Sequence, residues 1–206
     1  MDPPHLALTL LPHPPTLLSD IASLPWDLLL LLSSRLSRAF LAPLSLPALL
    51  STLLLLFLLA PPIYLCARWS DALSLPHARF DPLLLLQIAF VPCLFEETLF
   101  RVLLLPHPAE LSPDVMAPDE ALPFALFWWL LSTALFVFYH PACALLFREP
   151  AVCLFTHPGF LLACFLLGGG CAWLYLSVGS VWPCVAVHWV VVAVWLSLGG
   201  HHQAPL

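Results

Sequence analysis

Five residues place a charge or an imidazole inside stretches that are otherwise apolar: Glu96, Glu97 and Arg101 in FEETLFR, His140 in LFVFYHPA, and His188 in WPCVAVHWVVV. An ionised side chain at bilayer depth costs roughly 3 kcal/mol or more, so each one needs a partner or a function. Glu97 and Arg101 are four residues apart, on one helix face, with the glutamate on the favourable N-terminal side. They can neutralise each other. Glu96 points about 100° away around the same helix and lacks that partner. A carboxylate in a low-dielectric cleft is suited to general acid or base catalysis. On this helix alone, a structural ion network explains the residues equally well. His140 or His188, taken alone, is more often a hydrogen-bonding residue between helices than a catalyst. Together they read differently, because three separate helices each bring an acid or an imidazole near membrane depth. Water held between Glu96, His140 and His188 can be deprotonated and directed at a carbonyl, which is a hydrolase constellation. The other histidines (5, 13, 77, 107, 157, 201 and 202) fall in loops or termini, where solvation accounts for them.

The elements that carry these residues follow from composition. Of 206 residues, 62% are hydrophobic and 9% charged, against about 25% charged in soluble domains. A soluble fold has too few polar residues here to cover its surface, and disorder needs low hydrophobicity. A membrane-spanning helix takes roughly 20 apolar residues. Residues 44–66 and 83–105 qualify, as do a stretch from Pro123 to at least His140, then 159–178 and 181–199. Pro61 and Pro62 are expected to break or kink the first. Residues 24–41 hold only a short apolar run and end in Arg35 and Arg38, which suggests a helix lying in the interface. The expected fold is all-α: a polytopic transmembrane helical bundle of about five spans plus that N-terminal interfacial helix. The expected organisation is an N-terminal Pro-rich segment at 1–43, a transmembrane domain at 44–199 with its motif-bearing core at 83–199, and a tail at 200–206. No internal repeat is visible. Simple alternating helices leave Glu96 and His140 about 10 Å apart in depth. Kinks at Pro92 and Pro141, or a helix continuing past 141, are needed to close that gap.

Charge excludes other classes. The net charge is −6 and there is no lysine, so six arginines are left, too few to track a phosphate backbone; no nucleic-acid partner is expected. None of the seven cysteines forms a C-x-x-C pair, and they read as small packing residues. The N-terminus opens on Asp2 and prolines, unlike a secretory signal, and its acids argue against a transit peptide. The loop at 106–122 has four acids and no arginine, whereas Arg68, Arg79 and Arg148 flank it in other loops. The positive-inside rule places those arginine-bearing loops on the cytoplasmic-type side.

The ordered motifs resemble a known family. E-E-x-x-x-R (Glu96, Glu97, Arg101), F-x-x-x-H (Phe136, His140) and a histidine on a late helix (His188) are similar to the CPBP family, the CAAX prenyl protease and bacteriocin-processing intramembrane endopeptidases, over about 83–199. The resemblance implies that Glu96 activates water, His140 holds it and His188 helps stabilise the oxyanion. It also implies that Glu97 and Arg101 brace the site and that Phe136 packs behind His140. The implied partners are the lipid bilayer and a membrane-associated peptide or protein, cut in the best-known members just after a prenylated cysteine. One departure stands out: many members have asparagine four residues after the last histidine, where this chain has Val192. An oxyanion donor is worth roughly 3–4 kcal/mol in well-studied hydrolases, so the alternative reading is a catalytically weak or inactive membrane scaffold or chaperone of the same fold. No cofactor is expected. The zinc alternative would use Glu96, His140 and His188, but the spacing is not H-E-x-x-H, and Glu97 is committed to Arg101. A small proton-coupled transporter is disfavoured by the lack of paired inverted segments. The wording around His140 and His188 favours a bacterial plasma membrane or a plastid membrane over the endoplasmic reticulum.

Overall fold

The structure, a computed structural model, describes residues 17–70, 81–147 and 152–197, and the side chains of 17–25 are outside that description. Arg79 and Arg148, on which the expected orientation rests, and the tail at 200–206 also lie outside the described residues. Helix accounts for 87% of the described residues, with no strand among them. Among the described residues, four helices are long and apolar enough to cross a membrane. The molecule is a polytopic helical bundle.

In chain order, α1 is Leu17–Leu41 and α2 Leu46–Trp69. The site-bearing span opens with α3 (Pro82–Ile88), passes through a kinked stretch (Ala89–Leu94), one α turn (α4, Phe95–Glu97) and a π-helical stretch (Thr98–Leu103), and closes with a 3-10 turn at Pro108–Glu110. Then come α5 (Pro118–Phe147), the short α6 (Val152–Phe155), α7 (Pro158–Val178) and α8 (Val181–Ser197). The fifth expected span, α8, is 17 residues long and falls short of the other four. Helix α1 is 25 residues long, longer than the expected 24–41 segment, and is not among the four spans. It carries Asp20, Asp27, Arg35 and Arg38.

Helix α7 is the central span: half of its apolar window is buried, against 17–28% for the other three. Its small residues allow this. Gly168, Gly169 and Gly170 face Phe136, Trp129 and the Leu55/Leu59 pair, so α5 and α2 approach it closely. It stops at Gly179, whose φ of 75° is a left-handed cap. The leucines and phenylalanines of α2, α3 and α5 that face outward are the lipid-facing surface of such a bundle.

One proline expectation is corrected: helix α2 is not broken at Pro61 and Pro62 but runs on to Trp69. Helix α5 begins five residues before Pro123 and, as one of the expected alternatives, continues through Pro141 to Phe147. In hydrocarbon, leaving the helix exposes more backbone groups than the single N–H each proline lacks, and packed neighbours tolerate the defect. The site-bearing span does break, at Val91 (φ −133°, ψ 110°), the residue that Pro92 disfavours from helical geometry.

Candidate active site

Glu96 and Glu97 sit on the single α turn between the kink at Val91 and the π-helical stretch at 98–103. The continuation of α5 past Pro141 places His140 about 10 Å inside its C-terminal end, the depth that simple alternating spans failed to supply. His188 lies mid-way along α8. All three elements converge: His140 Nε2 is 3.9 Å from Glu96 Oε2, and His188 Nε2 is 3.8 Å from the same oxygen. These separations are too long for direct hydrogen bonds. They are short enough for one small polar molecule to touch the carboxylate and an imidazole together.

The two adjacent glutamates differ in their neighbours. Glu97 is fully buried and satisfied: Arg101 Nε donates to its Oε2 at 2.9 Å, and His188 Nδ1 donates to its Oε1 at 2.9 Å. Glu96 Oε2 is buried without a hydrogen-bond partner among the described residues. Leaving a buried polar atom unpaired costs about 1–3 kcal/mol, so it needs a reason. The i,i+4 expectation for Glu97 and Arg101 and the lone position of Glu96 both match the geometry.

Each histidine has one nitrogen committed and one aimed at Glu96. His140 Nδ1 lies 2.8 Å from the Phe136 carbonyl, which can only accept, so Nδ1 carries the proton and the Nε2 lone pair faces Glu96. His188 is held by the Glu97 carboxylate on Nδ1, which leaves Nε2 toward Glu96.

Phe136 forms the floor. It is fully buried and packs edge-on against His140 (centroids 4.8 Å), His188 (5.7 Å) and Phe100 (5.4 Å), with the Arg101 guanidinium carbon 4.9 Å from its ring centre. Beneath it, Gly168 leaves no room for a Cβ: one built there would lie 2.8 Å from Phe136 Cδ1. Arg101 Nη1 donates to Ser132 Oγ at 2.9 Å, and Ser132 in turn donates to the Phe100 carbonyl at 2.7 Å. Sequence reading missed Ser132 and Gly168. Ser132, Phe136 and His140 recur every four residues on one face of α5, and that periodicity was the available signal. Tyr139 was missed too; it packs against His140 (5.7 Å) and Phe100 (5.4 Å). Val192, one turn beyond His188, is partly buried and brings no side-chain donor.

A zinc ion bound at about 2.0–2.2 Å sets its tetrahedral ligand atoms about 3.4 Å apart. The Glu96–histidine separations are wider. No group of three or more His, Cys, Asp or Glu side chains among the described residues is arranged to hold a metal ion.

A family model described as type II CAAX prenyl endopeptidase Rce1-like matches residues 78–194, more than half of the chain. The chain belongs to this family. Neither a curated protein nor a solved structure matches it. The matched region of this Rce1-like protein contains Glu96, Glu97, Arg101, Phe136, His140 and His188, and it leaves α1 and α2 outside. The family is one of CAAX-type intramembrane proteases. With four membrane-length apolar helices, the Rce1-like chain is an integral membrane protein of a protease family whose substrates are membrane-associated proteins.

Proposed function

We propose that this Rce1-like protein is a glutamate-dependent intramembrane endopeptidase in which Glu96, His140 and His188 act on one water. The Glu96 carboxylate takes a proton from the water as its oxygen bonds to the scissile carbonyl carbon. His140, with Nδ1–H tied to the Phe136 carbonyl, accepts the water's other hydrogen at Nε2 and sets its direction. His188, held at Nδ1 by the fully buried Glu97 carboxylate, turns Nε2 toward the developing oxyanion and stabilises it by donating a hydrogen bond from that nitrogen when it bears a proton. The Glu96 proton then passes to the leaving amine as the C–N bond breaks, which restores the carboxylate. The observation that carries this reading is the convergence of both Nε2 atoms on the unpartnered Glu96 oxygen.

The substrate is a peptide bond of a membrane-associated protein, next to a prenylated cysteine, and the expected membrane is a bacterial plasma membrane or a plastid membrane. The test is cleavage of prenylated and unprenylated CAAX peptides by protein in liposomes. Glu96→Gln and His140→Ala should each abolish cleavage while the fold persists; cleavage by either variant defeats the mechanism. The mechanism uses no metal. Activity should survive a strong chelator, and stoichiometric zinc in active protein would overturn that. Val192 favours a second reading, a scaffold of the same fold. On that reading Glu96→Gln leaves the cellular phenotype intact at normal protein levels.

A further inference from the structure

Helix α1 lies outside the matched region, yet it reaches the span that carries the site. Arg35 donates through Nε and Nη2 to the two carboxylate oxygens of Glu110, at 2.8 and 2.6 Å, and through Nη1 to the Leu103 carbonyl at 3.3 Å. Leu103 closes the π-helical stretch that bears Arg101. A helix end leaves carbonyls without intrahelical donors, and the chain beyond it runs through Pro106 and Pro108, which have no N–H to offer. The guanidinium is a rigid planar fork, so it fixes the end of the site-bearing stretch relative to Glu110. Two residues back from Leu103, Arg101 grips Glu97, and Glu97 holds His188 Nδ1.

We infer that Arg35 is a positioning residue: α1, acting through it, sets the end of the turn carrying Arg101 and so the direction in which Glu97 is presented to His188. The catalytic consequence rests on the proposed function; the positioning rests on geometry alone.

Docking of α1 can be separated from this effect. Trp182 Nε1 donates to the Phe40 carbonyl at 3.0 Å, and the Phe40 and Trp182 rings meet edge-on at 5.6 Å. That contact holds α1 without touching Leu103. The experiment compares Arg35→Met with Trp182→Phe in full-length protein, by peptide cleavage in liposomes, thermal unfolding, and the proton NMR signal of the His188 Nδ1–H. Arg35→Met should lower kcat roughly ten- to hundredfold with KM nearly unchanged and should shift the His188 signal, as expected for a misplaced site. Trp182→Phe should lower the unfolding temperature but leave kcat and the signal in place. Losses that merely track unfolding temperature in both variants would overturn the inference, as would an unmoved His188 signal in Arg35→Met. If wild-type protein cleaves nothing, the proposed function fails, while the His188 signal still decides the positioning. If Arg35→Met does not fold, Arg35→Lys replaces it. It keeps the charge beside Glu110, loses the fork and should show the same displacement in smaller measure.

Discussion

Gly168→Ala adds one methyl group that should impair the site far more than the fold. The new Cβ would lie 2.8, 3.3 and 3.4 Å from Cδ1, Cγ and Cε1 of Phe136. Carbon atoms settle near 3.5–4.0 Å, so the ring must move by about 1 Å. It has little freedom, being wedged between Phe100, Arg101, His140 and His188. Overpacking of this kind costs typically 1–3 kcal/mol. Replacing glycine by alanine within a helix returns about 1 kcal/mol. Net destabilisation should therefore be about 0–2 kcal/mol, and most of the protein stays folded. Activity responds differently, because the moving ring pushes on both imidazoles, and a displacement of about 1 Å at a reacting centre costs on the order of 100-fold. Gly170→Ala is the control. Its Cβ would meet Leu55 Cδ1 and Leu59 Cδ1 at 3.1 Å, and these are terminal methyls that can rotate away. The assay pairs initial rates of peptide cleavage in liposomes with thermal unfolding in detergent. Gly168→Ala cleaving at the wild-type rate, or losing no more than Gly170→Ala, would refute the argument.

Three further outcomes follow from the same geometry. Glu97→Gln removes the anion from a fully buried pair and leaves Arg101 uncompensated, so it should destabilise the protein by about 3–5 kcal/mol, read as lost folded yield or a lowered unfolding temperature. Arg101→Lys keeps the charge but cannot reach Glu97 and Ser132 together as the planar fork does, so cleavage should fall even where protein levels hold, measured per folded molecule. Ser132→Ala strips a bond from Arg101 and a donor from the Phe100 carbonyl, and a loss of about 1–3 kcal/mol should appear in thermal unfolding.

Much of this arrangement was legible in the sequence because the bilayer simplifies the code. Apolar length alone marks α2, α5, α7 and the site-bearing span, and a charge inside such a run stands out. The Glu97–Arg101 pair follows from helical spacing, and the isolation of Glu96 follows from being one residue off that face. What sequence could not supply depends on contacts between distant segments. Arg35 and Glu110 are 75 residues apart, and nothing local links them. Gly168 reads as one glycine of three; only the position of Phe136 singles it out. The break expected at Pro61 and Pro62 failed for a related reason. Proline's local effect is fixed, but whether a helix continues through it depends on what packs alongside, as for Pro61 and Pro62. The kink before Glu96 is signalled by Pro92, but the π-helical stretch after Glu97 has no composition signal and emerges only in three dimensions.

Neighbouring glutamates with different partners make the count of residues in this stretch as binding as their identity. Inserting or deleting one residue upstream of position 96 within the span would swing both side chains by about 100°. Arg101 would turn with them and keep its grip on Glu97, but Glu96 would leave the two histidines and Glu97 would leave His188 Nδ1. The segment can therefore drift freely in its lipid-facing letters while its length stays frozen, and a single-codon indel there should be more damaging than most substitutions.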